Sequence, residues 1–456
     1  MSDVTVSVSD TFDGGNIEFI HAISKEDDSI DVIVRIKPDI HTELEKMAHM
    51  QYFCFRVTIG GLGNKKKKQR VNYIIENAER VSYPTAWPGS TVFYTNNVED
   101  VDSWKRNRDT AYVAGQLSWP HVHESNGSIY FSYFPPYSYA RHLSFMSRCA
   151  SLAHVGTLGQ SLEGREMDYI VVGTGSLVAW VIHRQHPGES MAEHYAEGLL
   201  TRLLGLDNNG DVDGVVKQLL SLFTFYIVPC MCPDGAVKGH LRTNAAGANL
   251  NREWTSTANY EAPSLERSPE VYYTLEKMKE TGCDFFLDVH GDEELPFNFL
   301  SGAANIPNWG PRLEALHGAF CAAYSRQGEM QQKYGYPATP AETVLKYMNV
   351  ACNQIGYRFD CLAVTLEMPF KDCKDYPDPD YGWNPKRSRD LGASVLEALL
   401  YVAPQLHTTE APRFSPEDVY VETTNDYQEE YPTEQDGFKM IQKRFFSDVY
   451  EINKPK

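Results

Sequence analysis

The alternation of apolar and polar residues changes character along the chain. Over residues 1–135, runs such as "IDVIVRI" (30–36), "YFCFRVTI" (52–59) and "SIYFSYF" (128–134) carry apolar side chains at alternate positions, with Gly, Asn and Pro between them. A period of two buries one face of a strand and leaves the other wet, so this segment predicts an antiparallel β-sandwich domain. "FPPYSY" (134–139) reads as a joint, because successive prolines stop regular strand pairing.

From 136 to 405 the pattern changes. Short apolar runs, "DYIVVG" (168–173), "LVAWVIH" (177–183), "FTFYIVP" (223–229), "DFFLDVH" (284–290) and "CLAVTLEMP" (361–369), alternate with stretches of helical spacing, "MAEHYAEGLLTRLL" (191–204) and "SPEVYYTLEKMKE" (268–280). That alternation predicts α/β architecture, a mixed, largely parallel sheet covered by helices. Residues 406–456 are acidic and tyrosine-rich without a clear period, and are expected to form a partly ordered tail.

At 456 residues the chain fits two domains, or one large domain with an appendage. No run approaches the roughly 18 apolar residues that span a bilayer, so no membrane association is expected. The start, "MSDVTVSVSDTFDGG", lacks the basic and apolar regions of a secretory signal. Nine cysteines between Cys54 and Cys373 are therefore expected to be reduced, in a cytoplasmic protein. Cys230 and Cys232 read either as buried neighbours on one strand face or as a redox or metal pair. A formal net charge of −19 argues against general nucleic-acid binding. The one basic run, Lys65–Lys68 in "KKKKQR", reads as a solvated hairpin or sheet-edge charge, or as a nuclear-import or acidic-partner signal.

Candidate chemistry begins at "HRQHPGES" (183–190). The strand ends near Ile182, and Ser190-x-x-Glu193 has the spacing of a helix capping box. That leaves His186 and Glu189 in a strand-to-helix loop, where α/β folds typically bind ligands. His183, nearer the strand, reads as a core histidine. About a hundred residues later an apolar strand ends at His290 in "CDFFLDVHGDEELP". His186, Glu189 and His290 together make a His₂Glu set with an open fourth position, the donor set of catalytic zinc. Asp288, or the acids after His290, can orient an imidazole. In "CPDGAVKGHLRTNAAGANLNREW" (232–254), Arg242 and Arg252 bracket Asn251, and guanidinium groups hold carboxylates bidentately. Glu367 interrupts the apolar run "LAVTLEMPF", where an ionisable group needs a partner or a task.

In this order the motifs resemble the zinc metallocarboxypeptidases. "HPGES", "GANLNREW", "DVHGDEELP" and "TLEMPF", preceded by "FDGGNIEF" (12–19) and "PPYSY", resemble the cytosolic carboxypeptidase subfamily, which includes enzymes that trim glutamates from protein tails. The resemblance covers about residues 8 to 405. It implies one zinc ion held by His186, Glu189 and His290, with Arg242 polarising the scissile carbonyl. Asn251 and Arg252 would hold the substrate's terminal carboxylate, and Glu367 would act as general base and acid. A substrate-capping tyrosine is expected at Tyr347 or Tyr357. Cys232 departs from the family, which more often has Asn before Pro-Asp-Gly.

The implied reaction is hydrolysis of the C-terminal residue of peptides or protein tails. The alternatives are a zinc amidohydrolase acting on small N-acyl amino acids and a non-catalytic peptide-binding relative. No Gly-x-Ser-x-Gly elbow supports a serine hydrolase. A preference for acidic C-termini, glutamate first, is expected from the subfamily. In so acidic a chain it needs a local cation. Arg358 is the first choice and Lys346 the second; the other reading of Arg358 is a surface residue paired with Asp360.

Overall fold

The computed structural model describes residues 4–45, 48–63 and 68–415, together with Glu417, Asp418, Thr424 and Tyr427. The N-terminal segment folds into two five-stranded sheets. One runs, in spatial order, Thr5–Ser9, Cys54–Gly60, Gly127–Ser132, Val92–Thr95 and Lys105–Asn107. The other runs Glu18–Ser24, Ile30–Arg35, Gln69–Ile75, Gln116–His123 and Ala111–Val113. Every neighbouring pair is antiparallel except Ile30–Arg35 with Gln69–Ile75, which is parallel. The period of two holds: Val71, Tyr73 and Ile75 are buried while Arg70 is exposed. Of the basic run, Lys65–Lys67 lie outside the described residues, and Lys68 pairs with Glu124 at 2.6 Å with both side chains exposed.

The last sandwich strand ends at Ser132, and helix α1 (Tyr139–Cys149) begins after Ser138, whose hydroxyl accepts from Arg141 N at 3.2 Å. A third sheet has seven strands: β1 (His154–Gln160), β2 (Glu166–Val172), β3 (Leu177–His183), β4 (Phe223–Val228), β5 (Phe285–Asp292), β6 (Phe299–Gly302) and β7 (Leu362–Pro369). Their order is β1-β2-β4-β3-β5-β7-β6. The four inner strands β4, β3, β5 and β7 are parallel, and the pairs toward both edges are antiparallel. The sheet is therefore mixed, its parallel part confined to the centre. β1 and β6 escape a reading of hydrophobic pattern because one is nowhere fully buried and the other is four residues long.

Helices α2 (Met191–Leu204), α3 (Pro269–Thr281), α4 (Pro311–Ser325), α5 (Ala351–Phe359) and α6 (Pro385–Val402) surround this sheet. α2 and α6 approach so closely that a Cβ on Gly198 would lie 1.9 Å from Arg389 O, and one on Gly392 2.1 Å from Tyr195 O. No helix among the described residues is long and apolar enough to cross a membrane.

Two local expectations are corrected. Ser190 adjoins α2 but does not cap it: its backbone is already helical, and its hydroxyl donates to Pro135 O at 2.9 Å. Glu193 is turned instead toward His142 and Arg184, both at 2.7 Å. Cys230 and Cys232 lie beyond the end of β4, and Cys232 precedes the short helix Pro233–Lys238. All nine cysteines are free and buried.

Candidate active site

The carboxyl ends of β3, β5 and β7 meet at one edge of the sheet. The parallel register sets His290 directly beside Glu367. The loop leaving β3 turns through Arg184, whose φ of 56° lies in the left-handed region, and carries His186 and Glu189 to the same edge. Arg184 is buried and clamps this loop by donating to Pro187 O and Tyr137 O, each at 2.9 Å.

His186 Nδ1 lies 2.6 Å from Glu189 Oε1, His290 Nδ1 lies 2.8 Å from Glu189 Oε2, and the two Nδ1 atoms are 3.2 Å apart. One ligand atom from each residue falls within 4.8 Å of the others, and all three residues are buried. The outer ring nitrogens fix the tautomers. His290 Nε2 faces Asp288 Oδ2 at 2.9 Å and His186 Nε2 faces Asn249 Oδ1 at 3.1 Å. Both partners are acceptors, so both Nε2 atoms carry hydrogen and both Nδ1 lone pairs point inward. Two lone pairs and a carboxylate converging away from water repel one another unless a cation sits among them, which is the donor chemistry of a zinc site. Burial holds the His186 imidazole neutral, down to about 3, which leaves its Nδ1 lone pair free, whereas at His290 Asp288 and Glu189 outweigh burial and favour positive charge beside them.

Two further side chains brace Asp288. Gln185 Nε2 donates to Asp288 Oδ2 at 2.7 Å, and Trp254 Nε1 donates to Gln185 Oε1 at 2.9 Å. Of the acids after His290, Asp292 accepts from Tyr336 Oη and Glu294 N, Glu293 lines the cavity, and Glu294 accepts from Thr85. Asp288 is thus the one that faces the imidazole.

The cluster opens into a cavity of about 150 Å³ that is also lined by Arg242, Asn251, Arg252, Tyr347 and Glu367. Glu367 is 8% exposed, and its Oε2 has no hydrogen-bond partner among the described residues. Burial raises its carboxyl well above the usual range, with His290 pulling the other way. Burial opposes the charge on Arg242, but Tyr83, Glu189 and Glu293 outweigh it and keep the guanidinium protonated. Asn251 Oδ1 accepts from Ala351 N at 2.9 Å while Nδ2 sits 3.4 Å from His290 Nε2. Arg252 Nη1 donates to Asn251 O at 2.8 Å.

Tyr357 and Arg358 do not reach this cavity. α5 turns Ala351, Cys352, Ile355 and Gly356 inward, so the next two residues face solvent, and Tyr357 is 48% exposed. Asp360 pairs with Arg312 at 2.8 Å rather than with Arg358. Lys346 is exposed as well. Sequence reasoning missed Asn249 and Gln185, although both stand inside quoted motifs, and it missed Tyr83, which the sandwich contributes to the cavity wall. For Gln185 the signal is an amide beside the candidate ligand His186, and for Asn249 it is an amide two positions before Asn251. Tyr83 has none, because its neighbours are set by domain packing.

Comparison with known proteins agrees with this geometry. Residues 8–134 match the family model for the cytosolic carboxypeptidase N-terminal domain, and residues 138–389 match that for zinc carboxypeptidase. The fold superposes on a metallo-carboxypeptidase from Burkholderia cenocepacia with a TM-score of 0.78 and 38% identity, covering 87% of this chain and 98% of that one. A metallo-carboxypeptidase from Pseudomonas aeruginosa, solved in complex with (2-guanidinoethylmercapto)succinic acid, gives a TM-score of 0.77 and 37% identity over 88% of this chain and all of that one. Cytosolic carboxypeptidase 6 of Caenorhabditis elegans is 22% identical over 62% of this chain and 60% of its own length. The chain belongs to the zinc carboxypeptidase family of hydrolases, and it carries the N-terminal domain of the cytosolic carboxypeptidases.

Proposed function

We propose that the protein removes the C-terminal residue of peptides or protein tails, with one zinc ion held by His186, Glu189 and His290 and with acidic residues, glutamate first, preferred at the cleaved end. The observation that carries this reading is the buried convergence of three metal-donor atoms beside a carboxylate with an unpaired oxygen. Zinc, when bound, supplies a Lewis acid that acidifies a water and polarises a carbonyl. Glu367 takes the proton of the attacking water and hands it to the departing amine. Its buried, raised carboxyl suits both halves of that transfer. Arg242, charged and without a side-chain hydrogen bond among the described residues, donates to the carbonyl oxygen as negative charge develops there. Asn251 and Arg252 hold the terminal carboxylate, which restricts cleavage to chain ends, and Tyr347 closes over the bound residue.

The acidic preference draws on the subfamily resemblance; Arg242 and Arg252 in the cavity wall make the cleft locally cationic, although the groups they are assigned to are shared by every C-terminal residue. At a Debye length of about 8 Å these nearby cations outweigh the distant field of an acidic chain. Partners under this reading are polypeptide C-termini, met in the cytoplasm.

The test is a release assay on peptides ending in Glu, Asp, Lys, Phe and Ala, on a γ-branched glutamate and on an N-acyl amino acid, before and after chelation. Glutamate release that chelation abolishes and zinc restores is expected. Equal rates for Phe and Glu overturn the acidic preference. Turnover confined to the N-acyl amino acid makes the protein an amidohydrolase, and turnover of none makes it a binding protein.

A further inference from the structure

The segment that carries Arg242 is held from the other domain. Residues 241–243 point three successive backbone N–H groups at one carboxylate, that of Asp39 in the sandwich. Leu241 N donates to Asp39 Oδ1 at 2.7 Å, and Arg242 N and Thr243 N donate to Oδ2 at 2.9 Å each. The Thr243 hydroxyl adds a fourth bond at 2.9 Å. Asp39 is 4% exposed, and its own N–H donates to His49 O at 2.8 Å, so the carboxylate is fixed on the sandwich side too. Such an array of N–H groups is an anion-binding concavity, and bonds to an ionised acceptor are about twice as strong as neutral ones.

The contact is part of a seam. Asn16 Nδ2 reaches Gly239 O at 2.9 Å as well as Lys37 O and Tyr52 O, and Gly14 N donates to Val237 O at 2.9 Å. On its far side the segment meets the ligand loop, where Gly188 N donates to Leu241 O at 2.9 Å. Asp39 alone in this seam binds the Arg242 amide itself. The guanidinium makes no side-chain hydrogen bond among the described residues, so its aim depends on its backbone.

We infer that Asp39 is a positioning residue: it sets the backbone of residues 241–243 and thereby the direction of Arg242, making the sandwich a part of the catalytic apparatus. The inference rests on the role proposed above for Arg242. Asn at this position keeps the shape but replaces one acceptor oxygen by an NH₂ facing N–H groups.

The experiment compares wild type, Asp39→Asn, Arg242→Ala and the double variant as full-length, zinc-loaded enzyme on a glutamate-terminated peptide. Asp39→Asn should lower kcat about 100-fold, the loss associated with a misplacement near 1 Å. KM should stay within about twofold, as for an interaction that acts only in the transition state. Zinc content should be unchanged, and amide exchange should quicken at residues 241–243 but not in the sandwich core. In the Arg242→Ala background Asp39→Asn should add no further loss. Wild-type kcat in Asp39→Asn, an equal loss in both backgrounds, or loss of zinc overturns the inference. If Arg242→Ala alone keeps wild-type kcat, the role of Arg242 fails, and exchange at 241–243 still decides Asp39: unchanged protection in Asp39→Asn overturns it. Should Asp39→Asn fail to fold, Thr243→Val removes only the hydroxyl bond and should lower kcat about fivefold, the worth of one net hydrogen bond; no change would overturn the inference.

Discussion

The sandwich core and the cleft it overlooks are buried to similar degrees but built from opposite materials. In the sandwich, Tyr73 and Phe131 pack at a tilt with ring centroids 4.5 Å apart, and Phe55, Trp119 and Phe131 meet at 5.4–6.3 Å. The Tyr73 hydroxyl is satisfied by His123 Nε2 at 2.7 Å. Each such ring buries about 150–250 Å², at roughly 25 cal/mol per Å². The cleft buries His186, Glu189, His290, Asp288 and Glu367 within one small region, where every charge carries a desolvation penalty that only a partner offsets. One region stabilises the fold; the other draws on that stability to keep reactive groups away from water. Substitutions in the two regions should therefore separate stability from turnover.

The largest separation is expected at Glu367. Glu367→Gln keeps the side-chain shape but removes the cavity carboxylate that stands level with His290 and whose Oε2 has no hydrogen-bond partner among the described residues. Turnover should fall by about 10³-fold while zinc content is retained, within the range of a lost general base. The melting temperature should hold or rise, because a buried carboxylate short of partners is replaced by a neutral amide. Near wild-type turnover would place the base elsewhere, and Glu293 in the cavity wall would be the next candidate.

The reverse is expected at Phe55, fully buried between Tyr73, Trp119 and Phe131. Phe55→Ala should lower unfolding free energy by about 3–5 kcal/mol, the cost of a large cavity in an aromatic core. Turnover per folded molecule should stay near wild type. A loss of turnover exceeding the loss of folded protein would mean that core packing, and not just the seam at Asp39, transmits to the cleft.

These two sites also mark what was legible in the sequence. Strand periodicity identified the sandwich and the inner strands of the seven-stranded sheet, because burial on one or both faces leaves a pattern in neighbouring residues. His290 and Glu367 stand out because an apolar run ends or is interrupted at them, and His186 and Glu189 because they share the strand-to-helix loop that follows one. The edge strand β1 was not, since a half-exposed strand carries little apolar signal. Arg358 was misplaced because proximity along the chain to Glu367 was taken for proximity in space, whereas helical phase decides which side of α5 a residue occupies. Asp39 was invisible because its partners lie some 200 positions away in another domain, and pairings across a domain seam have no local pattern.

A smaller effect is expected at the seam behind the ligand loop. His142 is buried between Asp168 at 3.0 Å and Glu193 at 2.7 Å, with Tyr139 stacked on its ring and Arg184 beyond Glu193. Burial works against its charge, but the two carboxylates outweigh burial and raise it to about 9 from 6.5. The folded state therefore holds this proton more tightly than the unfolded chain. Its contribution is complete below pH 6.5 and is lost as pH rises through about 9. The full span is on the order of 3 kcal/mol. Stability curves of wild type and His142→Gln, measured by urea unfolding between pH 6 and about 10, should converge toward alkaline pH. Curves that stay parallel would show that His142 is neutral in the fold, and the seam would then resemble the sandwich more than the cleft.

The smallest effect is expected at Arg358, and its smallness is informative. The residue stands nine positions before Glu367, yet α5 turns it to solvent, its guanidinium lying 5.9 Å from the ring of Phe359. An exposed cation outside the cavity is screened by water and salt, and contributes little to the field felt by a bound carboxylate. Arg358→Ala should therefore leave the ratio of glutamate to phenylalanine release unchanged within about twofold, the scale of an exposed ion pair. Arg252→Ala should raise KM for every C-terminal residue, because it removes a group assigned to the shared terminal carboxylate. If Arg358→Ala erased the glutamate preference, α5 would have to present a different face to substrate from the one it presents here. If neither variant altered the ratio, discrimination would fall to neutral groups of the cavity lining such as Ser301, Thr365 and His317, and the cleft would read an acidic side chain by hydrogen bonds rather than by a dedicated cation.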